Sequence, residues 1–261
     1  MRPRILLGRS LISAGRFIQS LAVVVMKPRD LVEFTRRTYA CPSDIEDWSR
    51  AELVDLGLNP DEKMLFEALP VRRGKTLVFG VGGGRVAIDL ARRGFEVTGA
   101  DFVPDMVEKT VANARDRGLS IEGVVQDLTT AELPSRAFDV IWLTPGLYSL
   151  VPTRKLRLRT LGRLRSSLTA QGFLVCGFYW DPDARRPSRG DIPRGVAKLL
   201  TLGNFGHQKG DVLLANIEFV HAFSSRGELE REFGDAGFET LSVNLPAGRG
   251  RGGAVLKARN A

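Results

Sequence analysis

Residues 76–101, TLVFGVGGGRVAIDLARRGFEVTGAD, constrain the fold more tightly than any other stretch of the chain. The apolar run 76–79 reads as a strand and feeds directly into Gly80-Val81-Gly82-Gly83-Gly84. Val86, Ala87, Leu90 and Ala91 then recur at helical spacing. Arg92, Arg93 and Gly94 supply the stop signal, and a second strand over 95–100 ends on Asp101. The pattern is one β-α-β unit with a carboxylate at the tip of its second strand. Glycines let the backbone turn sharply and leave no side chain between chain and ligand. The helix that follows offers unpaired N–H groups and a partial positive charge at its N-terminus.

Asp101 sits where it can accept hydrogen bonds from both hydroxyls of a ribose, so the unit suits an adenosine-containing cofactor. Two cofactors compete for it. Gly82-x-Gly84-x-x-Ala87, with an acid at Asp101, fits the dinucleotide fingerprint of an NAD(P)-binding oxidoreductase. Gly80, Gly82 and Gly84 equally fit the alternate-glycine turn of S-adenosylmethionine (SAM) sites. The downstream strands must decide.

At 261 residues the chain can bury one sizeable α/β core with appendages. Cys41 and Cys176 form neither a disulfide framework nor a CxxC pair, and the only histidines are His207 and His221. No metal site is expected, and a cytoplasmic setting is the default. Residues 1–37 hold +6 of the net charge of +8. Basicity is therefore an N-terminal property, and a nucleic-acid face on the main body is not expected.

Residues 1–27 read as a basic amphipathic helix. Arg2, Arg9, Ser13, Arg16, Ser20 and Lys27 fall on one stripe, opposite Leu7, Leu11, Ala14, Ile18, Leu21 and Val25. Such a helix suits an anionic membrane surface, leaving the protein cytoplasmic and peripherally attached, or packs on the protein itself or across a dimer. Arg9 and Arg16 leave less than the ~17 apolar residues that a span requires. No small-x-small site follows an unbroken apolar core, which argues against a signal peptide.

Residues 28–70 read as a helical lid. Pro28 closes the first helix, 41–52 is mixed, and Asn59-Pro60-Asp61-Glu62 is a strong helix start. Tyr39 and Trp48 of this lid read as buried core or as pocket aromatics. From 71 to 261 strands and helices alternate. Strands are expected at 121–126, 138–143, 173–178, 239–244 and 254–258, and helices at 104–115 and 152–168. Ser225-x-x-Glu228 is a capping box that opens a helix to Ala236. The Pro-, Gly- and Arg-rich segment 180–210 reads as a loop insertion.

From 76 to 259 the chain resembles the class I SAM-dependent methyltransferases of the small-molecule type. Four features carry the likeness: VFGVGGG with Asp101 and Pro104-x-Met106; Gln126-Asp127-Leu128; FDVIWL followed by LVP; and Phe219-x-His221-x-Phe223-Ser224 running on to Ala236-Gly237-Phe238. The resemblance implies a Rossmann-like seven-stranded sheet with helices on both faces, preceded by N-terminal helices. It implies SAM as cofactor, held by Gly80, Gly82, Gly84, Asp101, Phe102, Asp127, Leu128 and Thr144. Val78 stands where the family usually has an acid that orients the methionine end. A non-catalytic SAM-binding module is therefore the other reading of the same likeness.

The implied reaction is in-line transfer of a sulfonium methyl, in which the protein chiefly aligns donor and acceptor. His221, whose ordinary pKa suits a base, and Tyr148, in the loop after the fourth strand, are the candidates to meet the acceptor; the structural alternative is a histidine bonded to a backbone carbonyl and a packed tyrosine. Thr144-Pro145-Gly146-Leu147 differs from the Asn/Asp-Pro-Pro-aromatic turn of enzymes that methylate exocyclic or amide nitrogens. The basic amphipathic N-terminus and apolar lid point to a small amphiphilic or lipid-like acceptor.

Overall fold

A computed structural model describes residues 3–184, 197, 199–215 and 218–259. Residues 185–196 and 198 of the expected 180–210 insertion therefore lie outside the described residues. The central sheet runs in the order β3 (Ile121–Val125), β2 (Phe95–Asp101), β1 (Gly74–Phe79), β4 (Phe138–Leu143), β5 (Leu168–Trp180). The first five strands are parallel. On the far side of β5, β9 (Gly250–Ala258) enters antiparallel and pairs in turn with β8 (Phe238–Asn244). The expected seven-stranded sheet is present, and an antiparallel final strand distinguishes it from the 3-2-1-4-5-6 dinucleotide sheet.

Both faces of this sheet are covered, so its strands are near-continuous apolar runs. Alternation sorts the side chains. Leu77, Phe79, Ile141, Leu143, Leu174 and Cys176 pack toward Leu161 and Leu164 of α8 (Arg154–Ser167) and Leu229 and Phe233 of α9 (Arg226–Asp235). Val78, Val140, Trp142 and Val175 pack toward α5 (Pro60–Ala68) and α6 (Arg85–Arg92). The remaining helix of the body is α7 (Pro104–Arg115).

One pair of strands was not foreseen. The strands β6 (Asp211–Leu214) and β7 (Glu218–Phe223) pair antiparallel. The strand β5 outruns β4, and its freed Tyr179 and Trp180 pair with Ala222 and Phe223 of β7. The two strands therefore stand beyond the C-terminal end of β4, where cofactor-binding loops of such sheets gather.

Ahead of the sheet lie α1 (Pro3–Val25), α2 (Pro28–Tyr39), α3 (Pro42–Ser49) and α4 (Ala51–Asp55). The segment left unassigned over 41–52 thus resolves into two short helices. The cap of α5 forms as its sequence dictates. The Asn59 side chain accepts from Glu62 N at 2.9 Å, and the Glu62 carboxylate accepts from Asn59 N at 2.8 Å.

A buried ionic group ties the C-terminal half together. Arg157 and Glu232 are almost fully buried; Arg157 Nε donates to Glu232 Oε1 at 2.7 Å and Nη2 to Oε2 at 3.1 Å. The Tyr148 hydroxyl, in the 3-10 turn Leu147–Leu150, donates to the same carboxylate. Removing one partner of a buried pair strands the other charge, whereas replacing both with apolar groups is often neutral. Glu232→Ala should therefore destabilise the fold by about 3–5 kcal/mol, read as a lower denaturant midpoint. Arg157→Met with Glu232→Leu should recover most of that loss.

Candidate functional site

The loops at the C-terminal ends of β1, β2 and β3 converge on Asp101. Its Oδ2 accepts from Gly82 N at 3.2 Å and its Oδ1 from Val103 N at 3.1 Å, while its carbonyl accepts from Gln126 N at 2.9 Å. Burial raises the Asp101 pKa above the ordinary carboxylate value, against the pull of these backbone N–H groups. A carboxylate offers about four lone-pair sites, so acceptor capacity remains on both oxygens.

Above this carboxylate lies a cleft with two lobes that meet at Gly80, Asp101, Phe102, Leu147 and Leu150. One lobe is lined by Gly82, Trp48, Arg85 and Thr144, and further out by Tyr39, Leu214, Glu218, Val220 and Arg251. The other is lined by Val32, Thr35, Gln126, Asp127 and Leu128. Seven of the eight residues expected to hold a cofactor therefore face one continuous cleft.

Gly82, with φ +52°, has its Cα directed at open space: an added Cβ would meet nothing nearer than Trp48 Cβ at 3.8 Å. Thr144 Oγ1 donates to Gly80 O at 3.1 Å, joining the β1 and β4 exits. Asp127 Oδ1 is taken by Thr129 N and Oγ1, both at 2.7 Å, so its Oδ2 is the oxygen left to a ligand among the described contacts. Gly84 is the exception. It caps α6 with φ +103°, and an added Cβ would lie 3.0 Å from Ile88 Cδ1 and 3.3 Å from Thr110 Cγ2. Its role is to let α6 and α7 approach, not to line the cleft.

The two expected acceptor residues are elsewhere. His221 is fully buried, with Nδ1 2.6 Å from Asp211 Oδ1 and Nε2 3.6 Å from Glu228 Oε1. Tyr148 is fully buried against Glu232 and stacks on Phe223, and burial raises its pKa well above the ordinary phenol value. Neither lines the cleft. For His221 the reason is strand alternation: Phe219, His221 and Phe223 point away from the cleft, while Glu218 and Val220 point in; Tyr148, in its 3-10 turn, is turned inward onto Glu232 and Phe223.

In their place the cleft holds Tyr39 and Glu218. The Tyr39 hydroxyl donates to Glu218 Oε2 at 2.6 Å. Burial raises the pKa of both; the Tyr39 hydrogen bond and nearby Arg251 pull that of Glu218 back down. Arg85 is the cation at the loop end of the cleft, held by Glu62 (Nη2–Oε1 2.8 Å) and by Gly57 O at 2.6 Å. Tyr39 was legible as a pocket aromatic. Its partner was not, because 179 residues separate the two.

The lid lies directly on the glycine loop. An added Cβ on Gly83 would stand 2.2 Å from Trp48 O and 2.5 Å from Ser49 Cα. Asn113 Nδ2 donates to both Gly83 O and Ser49 O, and Asp55 of α4 is clamped by Arg117 and Arg92.

Residues 77–172 match the family model described as a methyltransferase domain. A demethylmenaquinone methyltransferase of Thermus thermophilus is 30% identical over 128 residues, covering 48% of this chain and 51% of the relative. The chain thus spans about half the length of that curated relative. Among solved structures, a SAM-dependent methyltransferase from Methanosarcina mazei superposes with a TM-score of 0.58 at 18% identity, covering 78% of this chain and 100% of that one. The protein DhpI, in complex with SAH, superposes with a TM-score of 0.60 at 19% identity, covering 88% and 98%. At these identities the structural likeness is one of fold.

Gly83→Ala should push the lid off the loop, because the overlapping atoms are backbone. The expected outcome is faster hydrogen exchange over 42–55 and an about tenfold or greater loss of affinity for the cleft's nucleoside ligand, about 1.4 kcal/mol. Gly162→Ala, which meets nothing within 4 Å, is the control that should change neither.

Proposed function

We propose that this chain, a member of the class I SAM-dependent methyltransferases, methylates a small amphiphilic acceptor whose ionisable hydroxyl meets Tyr39 and Glu218. The hydrogen bond between those two side chains, in the lobe next to the glycine loop, is the observation that carries this reading.

The cleft fits its cofactor. Gly82 leaves backbone bare toward it, Gly80 lets the loop close against Thr144, Asp101 retains acceptor capacity for the ribose, and Asp127 and Leu128 bound the second lobe, where adenine would sit. Arg85 suits the carboxylate of the methionine end, where Val78 supplies no acid. When bound, SAM supplies an electrophilic methyl group next to the acceptor.

The protein's own chemistry is then proton removal and placement. Glu218 as carboxylate takes the acceptor's hydroxyl proton, and the oxygen's electron pair becomes available for the new bond. Tyr39, with its pKa raised, stays protonated and holds Glu218 in place. Leu147, Leu150, Leu214 and Val220 give the lobe an apolar wall for the acceptor's body. The Thermus relative's name refers to demethylmenaquinone, a lipid-like quinone, which agrees with an amphiphilic acceptor once it is reduced to the hydroxyl-bearing quinol. Val78 favours one second reading, a SAM-binding module without turnover. Binding of cofactor with no methyl transfer to any lipid-like phenol or quinol would decide for it.

SAM and S-adenosylhomocysteine should raise the melting temperature, and NAD should not. Asp101→Ala should weaken SAM by at least about tenfold in calorimetry, since each charge-assisted hydrogen bond contributes about 1.5–3 kcal/mol. Unchanged affinity would exclude Asp101 from the site.

Tyr39→Phe removes the hydrogen bond that lowers the Glu218 pKa. Activity that needs ionised Glu218 is lost as pH falls through that pKa, so the acid limb of kcat should move to higher pH in the variant. Glu218→Gln should abolish that limb and reduce kcat about 10²-fold or more, with SAM affinity retained.

A further inference from the structure

The helix α1 is anchored at one end and bare along most of its length. Val23 and Val24 are buried, Val23 packs with Leu31 and Phe219, and Asn204 N donates to Val24 O at 2.8 Å. Leu7, Leu11 and Ile18, on the opposite stripe, are 62%, 65% and 65% exposed. The more apolar side of the helix therefore faces solvent, which does not fit a helix packed on its own protein. A second apolar element abuts it. Gly203 lies against the carbonyls of Val24 and Val25, and its neighbours Leu199, Leu200 and Leu202 are all largely exposed.

Scattered exposed leucines are ordinary, but two adjoining apolar elements mark an interaction surface. We propose that this surface docks the protein on an anionic membrane face, with α1 lying in the interface plane. Charge selects this occupant. The α1 sequence carries Arg4, Arg9 and Arg16 and no acid, and Lys27 and Arg29 follow it directly. Two copies packed through the apolar stripe would leave Arg9 and Arg16 on the outer faces with no acid of α1 to meet, whereas anionic headgroups around an interfacial helix neutralise them. Among the described residues no single helix is long and apolar enough to cross a membrane. The chain turns from α1 straight into α2, which lines the cleft through Val32, Thr35 and Tyr39, so docking sets the cleft beside the lipid surface. This inference rests on the surface alone, not on methyl transfer.

The test is co-sedimentation of the full chain with vesicles of phosphatidylglycerol and phosphatidylcholine, against vesicles of phosphatidylcholine alone. Binding is expected on the anionic vesicles at low salt, with at least about tenfold weakening at 1 M salt, where the Debye length falls to ~3 Å. Leu7→Asp with Leu11→Asp, and separately Leu199→Asp with Leu200→Asp, should each weaken binding at least about tenfold. Their melting temperature should not change, because these side chains are exposed. The inference is overturned by a folded chain that does not pellet at low salt, or by binding that both double variants leave intact. Binding that survives carbonate washing overturns it in favour of a span. A dimer that Leu7→Asp with Leu11→Asp dissolves, without vesicle binding, overturns it in favour of a second copy.

Discussion

The cleft depends on a single buried carboxylate. Asp101 accepts from the loop after β1 through Gly82 N and from its own loop through Val103 N, and its carbonyl takes the exit of β3 through Gln126 N. Three separately encoded loops are thereby brought to one point. The arrangement also explains why the group tolerates burial: backbone N–H groups on both oxygens partly offset the desolvation that raises its pKa. A ribose would take up the capacity that those donors leave.

Much of this was legible because local sequence and global fold agree there. The β1 strand, the glycine turn, α6 and Asp101 lie within 28 consecutive residues, and each signals its own conformation. The parallel strands were legible for a related reason: with both faces covered they are unbroken apolar runs bounded by turns. Gly84 shows the limit of motif reading. It belongs to the same glycine pattern as Gly82, yet φ and neighbouring side chains assign it to helix packing. Only three-dimensional placement separates a glycine a ligand needs from one that a helix needs.

The acceptor end was illegible for a different reason. Every residue of β7 is buried, so no polar-apolar alternation reveals which face meets the cleft. A histidine in such a strand attracts attention on chemistry alone, while parity places its neighbour Glu218 in the cleft. The pairing of β7 with the overhanging end of β5 is also a long-range event that no local signal encodes. Tyr39 could be noticed as an aromatic, but its meaning comes from a carboxylate 179 residues away.

That long-range contact joins the helix α2 to the strand β7. The strand β7 is held from behind: His221 pairs with Asp211, whose other oxygen accepts from Gln208 N, and Gln208 Oε1 accepts in turn from Arg157 Nη2. Arg157 then reaches Glu232 and Tyr148, so two β-strands, two helices and the loop after β4 share one buried polar network. Such a network is stabilising when its members are paired and costly when broken, which makes this wall resist displacement. Tyr39 sits at the C-terminal end of α2, whose Leu31 packs on Phe219 and whose Thr35 Oγ1 accepts from Phe219 N at 3.1 Å. Moving α2 would break both this bond and the Tyr39–Glu218 bond, and leave the network behind β7 standing. The Tyr39–Glu218 bond, the proton-handling pair of the proposed mechanism, thus also ties α2 to this wall.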